Sequence, residues 1–252
     1  MHMSPTVPTN NVLHDRVILV TGAGEGIGKV AAKTLAAAGA TVILLGRTLN
    51  KLEKVYDEIE AQGSTHAIIL PLDLKGARPE DYQQVSALIE AQFGRLDGLL
   101  HNAAVLGGLS PIELQEVKKW YDIIQTNLHA PFLLTQALLP LLKKSADARI
   151  LFTADTVGIK GQAYWGAYGV AKAGIINFMQ ILADELEAGT RIRVNAIIPP
   201  PTATRIRKQA YPAILHEALQ DPSVYMKEYV YLLGPESKAV NGEIITIKET
   251  AK

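Results

Sequence analysis

Seven short apolar runs alternate along this chain with longer stretches of helical period, and that alternation restricts its fold more than anything else in the sequence. The first run is Arg16 to Val20, followed by Ile27, Val30, Ala31, Thr34, Leu35 and Ala38 at the spacing of one helix face. Further runs span Thr41 to Leu45, Thr65 to Leu70, Gly98 to His101, Arg149 to Thr153, Ile192 to Ile198 and Ile244 to Ile247. Between them Val85, Leu88, Ile89 and Phe93 keep helical spacing, and a long helix is expected from Tyr168 to about Leu186, stopping before Gly189. A strand with one wet face alternates apolar and polar residues. These strands read as near-continuous Val, Ile and Leu, as burial on both faces requires. The expected fold is α/β, a Rossmann-type doubly wound parallel sheet of about seven strands with helices on both faces. Ligands of such sheets bind outside the carboxyl ends of the strands, where strand order reverses.

A chain of 252 residues buries enough surface to fold without staples, and the expectation is a single domain over 1–252 with residues 1–14 as a flexible extension. With 25 basic and 25 acidic residues there is no overall field to draw nucleic acid or an anionic membrane, and neither is an expected partner. The absence of cysteine removes disulfides, thiolate nucleophiles and cysteine-based metal sites, and no metal is expected. No apolar run approaches the roughly 18 residues of a membrane span, and the start of the chain lacks the basic and apolar regions of a signal peptide. The cytoplasm is the expected compartment.

The first strand runs into Thr21, Gly22, Ala23, Gly24, Glu25, Gly26, Ile27 and Gly28, and then into a helix. Glycines at a strand-to-helix turn let backbone approach a phosphate, and the helix N-terminus offers unpaired N–H groups and a positive dipole end. A turn that merely lets strand and helix pack is the plain alternative. The second strand ends Leu44, Leu45, Gly46, Arg47, with no carboxylate for a ribose 2′-hydroxyl and with an arginine able to pair with a 2′-phosphate. NADP(H) is therefore the preferred cofactor, with NAD(H) as the alternative. Further on, Tyr168 and Lys172 stand four apart, one turn of helix, so an ammonium can stabilise a phenolate whose reference pKa of about 10 is otherwise too high for neutral pH.

The spacing Gly-x-x-x-Gly-x-Gly resembles that of the short-chain dehydrogenase/reductase family, of the type called classical. Other motifs agree from about Arg16 to Ile247: Asp73 and Leu74 after the third strand, His101, Asn102, Ala103 and Ala104 after the fourth, Asn127 in a helix, Tyr168 to Lys172, and Arg193, Val194, Asn195 running on to Pro199. Within the family, Leu134 to Leu142 and Trp165 to Tyr168 look most like the bacterial YciK-type oxidoreductases. The resemblance implies that Thr21, the glycine turn, Arg47, Asp73, Leu74 and Asn102 to Ala104 hold a dinucleotide, with Tyr168, Lys172 and the loop of Pro199, Thr202 and Thr204 at its nicotinamide end. It implies that Tyr168 exchanges a proton with the substrate oxygen, that Lys172 lowers the pKa of Tyr168 and binds the nicotinamide ribose, and that Asn127 holds a relay water. Glu25 stands where NADP-preferring relatives often place a basic residue.

One departure bears on the chemistry. Thirteen residues before the tyrosine the family carries a serine that donates to the substrate oxygen, and here that position is Asp155. An ionised carboxylate about 4 Å from a forming phenolate costs about 4 kcal/mol at an effective dielectric of 20, roughly three decades of acidity. Three outcomes are open: a protonated Asp155 that donates as serine does, a one-residue bulge that presents Thr156 instead, or a chain that binds cofactor and turns over poorly. Two smaller departures are Ala104 for a glycine beside the cofactor, and Pro199, Pro200, Pro201 for Pro-Gly, which leaves the Thr202 N–H and the Thr204 hydroxyl for the carboxamide.

The substrate, a small carbonyl compound or alcohol, is expected among Val105 to Leu109, Ala163 to Trp165 and Ile206 to Leu215. Arg205, Arg207 and Lys208 read either as an anion site or as a solvated face of a loop. Ile175, Ile176, Met179 and Leu182 continue the tyrosine-bearing helix with more apolar surface than one sheet face would cover, so a homodimer or homotetramer is expected. The activity so implied is hydride transfer between a nicotinamide cofactor and a carbonyl or secondary alcohol. The rival is a catalytically weak nucleotide-binding protein.

Overall fold

The computed structural model describes residues 11–63, 67–214 and 219–248. Seven parallel strands form one sheet: β1 (Val17–Thr21), β2 (Thr41–Gly46), β3 (Ala67–Pro71), β4 (Gly98–His101), β5 (Arg149–Thr153), β6 (Arg193–Ile198) and β7 (Ile244–Thr246). Their order across the sheet is β3-β2-β1-β4-β5-β6-β7. The helices are α1 (Gly26–Ala37), α2 (Leu49–Glu60), α3 (Pro79–Phe93), α4 (Val117–Ile124), α5 (Ala130–Lys144), α6 (Thr156–Ile159), α7 (Gly166–Glu187), α8 (Arg205–Ala210) and α9 (Met226–Leu233). The chain thus has the seven-stranded doubly wound fold that its apolar runs imply. Strand order reverses between β1 and β4, and the crevice above their carboxyl ends is where a ligand belongs.

Each strand feeds two cores, which is why it reads as apolar throughout. Val17 and Leu19 of β1 point into a core completed by Tyr82, Leu134, Leu138, Ile175 and Met179 from α3, α5 and α7. Ile18 and Val20 point the other way, against Ala31, Leu35, Leu52 and Tyr229 from α1, α2 and α9. Ile175, Ile176, Met179 and Leu182 all belong to the first of these cores, so they do not form the surplus apolar face that the sequence suggested. The apolar side chains left exposed on α5 and α7 are instead Phe132, Val170 and Ile181.

Strand ends differ from the sequence expectation by a residue or two. Arg16 precedes β1 because its guanidinium turns back to the carbonyls of Asp97 and Asp147, and the strand ends instead at Thr21. The expected start of the third strand at Thr65 lies outside the described residues, as does Leu215. Residues 11–14, expected to be part of a flexible extension, form a turn. Leu13 donates its N–H to the Ala38 carbonyl and is fully buried. Asn127 lies in a helix, as expected, within a π-helical segment, Gln125–His129, that joins α4 to α5 without a break.

Candidate active site

The glycine turn is built by backbone conformation that side chains resist. Gly22 has φ of 67° and Gly26 φ of 56°, in the left-handed region, and a Cβ on Gly22 would stand 2.9 Å from Ala103 Cα. Gly28 does a different job. A Cβ there would meet the Gly22 carbonyl oxygen at 2.3 Å and Asn102 Nδ2 at 2.6 Å, so its role is to seat α1 against the turn from behind. Thr21 is likewise a structural tie, with its hydroxyl donating to the Leu100 carbonyl and accepting from the N–H groups of Asn102 and Ala103. Neither Thr21 nor Gly28 lines the cavity that opens above the turn.

That cavity, about 430 Å³, runs along the carboxyl ends of the central strands and brings together most of the residues singled out from the sequence. Gly22, Gly24, Glu25, Gly26 and Ile27 line it at the turn, Arg47 at the end of β2, Asp73 and Leu74 after β3, and Asn102, Ala103 and Ala104 after β4. Asp155, Tyr168, Lys172, Pro199, Thr202 and Thr204 line its other end, whereas Asn127 stands outside it. Arg47 is exposed and has no ion pair among the described residues. Ala104 has a backbone outside the left-handed region, so no conformational demand for glycine exists there.

Glu25 joins three elements. Its carboxylate receives Lys51 of α2 at 2.5 Å and Arg205 of α8 at 2.8 Å. Burial pushes Glu25 up, but these two cations outweigh it and hold the carboxyl below its ordinary value. Lys51 was not singled out from the sequence. Its place in the first turn of the helix after β2, the strand beside β1, was the available signal. Thr204 caps α8 by accepting the Arg207 N–H, and the Thr202 hydroxyl is spent on the Pro200 carbonyl and Tyr225.

At the other end β5 runs straight to Thr153, and the Ala154 N–H still bonds to the Ile197 carbonyl, so there is no bulge to bring Thr156 forward. Asp155 caps α6. Its Oδ1 accepts from the Val157 N–H at 3.2 Å and from the Thr156 hydroxyl at 3.3 Å. Its Oδ2 accepts from the Tyr168 hydroxyl at 3.0 Å. Asp155 itself therefore faces the tyrosine, and Thr156 supports Asp155. Burial, with Asp155 adding to it, raises Tyr168 well above the ordinary phenol range. Lys172 is buried, donates to the Thr153 carbonyl at 2.6 Å and lies 5.6 Å from the centre of the Tyr168 ring. Burial, opposed by Asp155, lowers Lys172 to about 8.

The Asn127 side chain ties down the loop after β4. Its Oδ1 accepts from the Val105 N–H at 2.9 Å and its Nδ2 donates to the Val105 carbonyl at 2.8 Å, which brackets the loop after β4. His101, buried and lowered to about 3 by that burial, bonds to Thr135 and stacks on Phe152, so it is a core residue. The expected substrate walls converge in one small core in which Leu106, Trp165, Tyr168 and Ala210 pack with Val105, Leu109, Ile206 and Tyr211. Arg205, Arg207 and Lys208 sit on α8 rather than in a loop. Among the described residues no group of three His, Cys, Asp or Glu side chains could hold a metal ion, and no helix is long and apolar enough to cross a membrane.

Three comparisons bear on this geometry. The sequence profile of the short chain dehydrogenases matches residues 16–214. The oxidoreductase YciK of Escherichia coli K12 is 43% identical over 235 residues, 93% of this chain and 92% of that one. Among solved structures, a short-chain dehydrogenase of Pseudomonas syringae superposes with a TM-score of 0.93 at 45% identity, covering 98% of each chain. Another, from Escherichia coli CFT073 in complex with NADPH, gives 0.91 at 43% identity, covering 95% of this chain and 99% of the other.

Proposed function

The chain belongs to the short-chain dehydrogenase family of oxidoreductases, and from that premise we propose that it is an NADP(H)-dependent enzyme interconverting a carbonyl and a secondary alcohol. The residues present fit a dinucleotide. Gly22 and Gly26 open the turn for a close phosphate approach, and Arg47 stands unpaired at the end of β2 where a 2′-phosphate would lie. The NADPH complex of the Escherichia coli relative supports the same choice. Bound nicotinamide supplies or accepts the hydride.

The observation that carries the reading is the buried Tyr168 hydroxyl, 3.0 Å from Asp155 in the cavity wall, with the Lys172 ammonium behind its ring. A carbonyl oxygen gaining an electron pair needs a proton, and the Tyr168 O–H is positioned to give it. Lys172 stabilises the phenolate left behind. The Asp155 carboxylate, whose Oδ2 accepts the Tyr168 hydroxyl, opposes that phenolate. The reductase reading predicts NADPH oxidation, followed at 340 nm, with a panel of diketones, quinones and aldehydes, and its loss in Tyr168→Phe.

The 3.0 Å contact between the Tyr168 hydroxyl and Asp155 favours a second reading, because a carboxylate there competes with substrate for that hydroxyl. A cofactor-responsive binding protein with weak turnover would bind NADPH yet consume it only after Asp155→Ser. We further infer a single-domain cytoplasmic protein that assembles as a homodimer or homotetramer through the exposed Phe132, Val170 and Ile181 faces of α5 and α7. A monomer in sedimentation at micromolar concentration would remove that inference.

A further inference from the structure

Three basic side chains lie close together on α8, and the structure sends each in a different direction. Arg205 turns to Glu25 at the glycine turn, and Lys208 is exposed. Arg207 turns into the cavity. Its guanidinium carbon lies 4.1 Å from the centre of the Tyr211 ring, and its Nε is buried without a hydrogen-bond partner. No carboxylate among the described residues pairs with it.

Stacking on Tyr211 fixes the plane of the guanidinium but cannot satisfy donors that lie within that plane. A planar fork of N–H groups, held flat with its edge unpaired, matches a carboxylate. The surroundings say where the rest of such a ligand lies. Tyr211, which lies behind the cavity lining, is 6.1 Å from Trp165, centre to centre, and Trp165, in the lining, is 5.5 Å from Tyr168, so a run of aromatic contacts links the guanidinium to the proposed reacting hydroxyl. The run ends in Asp155 on one side and Arg207 on the other. Arg207 attracts a carboxylate to the end of the run away from Tyr168, so one charge orients the substrate.

We propose that Arg207 is the anion-recognising residue of this site, and that the substrate is a carbonyl compound, or its alcohol, with an aromatic or apolar body and a carboxylate remote from the reacting carbon. This rests on reading the cavity as an oxidoreductase site and names the substrate class for it.

The test compares para-carboxybenzaldehyde and the longer benzoylbutyric acid, each against its methyl ester, in wild type, Arg207→Gln and Arg207→Lys. Wild type should favour acid over ester in kcat/KM by about ten- to hundredfold, mostly through KM, as for a charge-assisted bidentate contact. Arg207→Gln should bring that ratio near one. Arg207→Lys, with the charge but not the fork, should fall between. Quenching of Trp165 fluorescence by the acids, read with NADP+ bound, gives affinity without turnover. A wild-type ratio near one, a ratio unchanged in Arg207→Gln, or no quenching and no turnover overturns the proposal. So does a larger loss of NADPH affinity than of acid affinity in Arg207→Gln, which would assign Arg207 to the dinucleotide. Ester turnover without acid preference sinks this inference alone. Arg207-dependent quenching by acids that are never reduced sinks the reductase reading and keeps the anion site.

Discussion

Replacing Asp155 by serine should change the acidity of Tyr168 more than any other single substitution in the cavity. The phenol oxygen and Asp155 Oδ2 are 3.0 Å apart. At an effective dielectric of about 20, two unit charges at that distance repel by about 5.5 kcal/mol, roughly four decades of acidity. Asp155 is only half-buried, so solvent and small shifts reduce this, and a fall of at least about two decades is the expected effect. Tyrosinate absorbance reads it directly, with the matching Tyr168→Phe protein subtracted from each titration. In Asp155→Ser the Tyr168 signal should appear at least about two pH units below that of wild type. Reduction consumes the Tyr168 proton, so wild-type kcat/KM should hold level from pH 6 to 9, and the fall with rising pH should begin at least about two units lower in Asp155→Ser than in wild type. Tyr168 ionising at the same pH in both proteins would refute the argument, since burial alone would then set its acidity. An Asp155→Ser protein that keeps its reduction rate to a higher pH than wild type would refute it equally.

Lys172→Met tests the cost of a buried ammonium. The folded value of about 8 lies below the unfolded value near 10.5, so the unfolded chain binds more protons between them, and wild-type stability should rise with pH across that window by about 2–3 kcal/mol relative to Lys172→Met in paired urea titrations. A constant difference between pH 7.5 and 10 would contradict this. Thr21→Val strips one acceptor and two donors of their partner in a buried junction and should cost about 2–4 kcal/mol by denaturant unfolding, whereas a loss below about 0.5 would mean the tie is not structural. Arg47→Ser should weaken NADPH about tenfold or more and NADH hardly at all in fluorescence titrations, and equal losses would move the 2′-phosphate elsewhere.

Much of this was readable because the relevant physics is local. Val17 to Val20 announce a strand between two cores by leaving no position for water, and Gly22 and Gly26 mark a turn that only glycine adopts easily. What could not be read depends on partners far along the chain. Nothing adjacent to Thr21 says that its hydroxyl serves Asn102 and Ala103, and nothing adjacent to Asn127 says that its amide bonds to Val105 at both ends. Ile175 and Met179 looked surplus because the depth of the core above β5 is a property of packed α5 and α7 together. The cations of α8 are indistinguishable as letters. Only their directions around a short helix separate an ion pair, a stacked guanidinium and a solvated charge.

The position of β4 beside β1 also sets a timetable for synthesis. Ile18, Leu19 and Val20 pair with Gly98, Leu99 and Leu100, and Thr21 meets Asn102 only across that seam. When the ribosome has made β1, α1 and β2, the glycine turn exists as a sequence but has no floor. Two more strands and two more helices must emerge first. A contact spanning some eighty residues closes late and slowly, so nucleotide can stabilise only a chain already made as far as Asn102. Until then the unpaired edge of β1 is in the care of whatever the cell supplies to nascent chains.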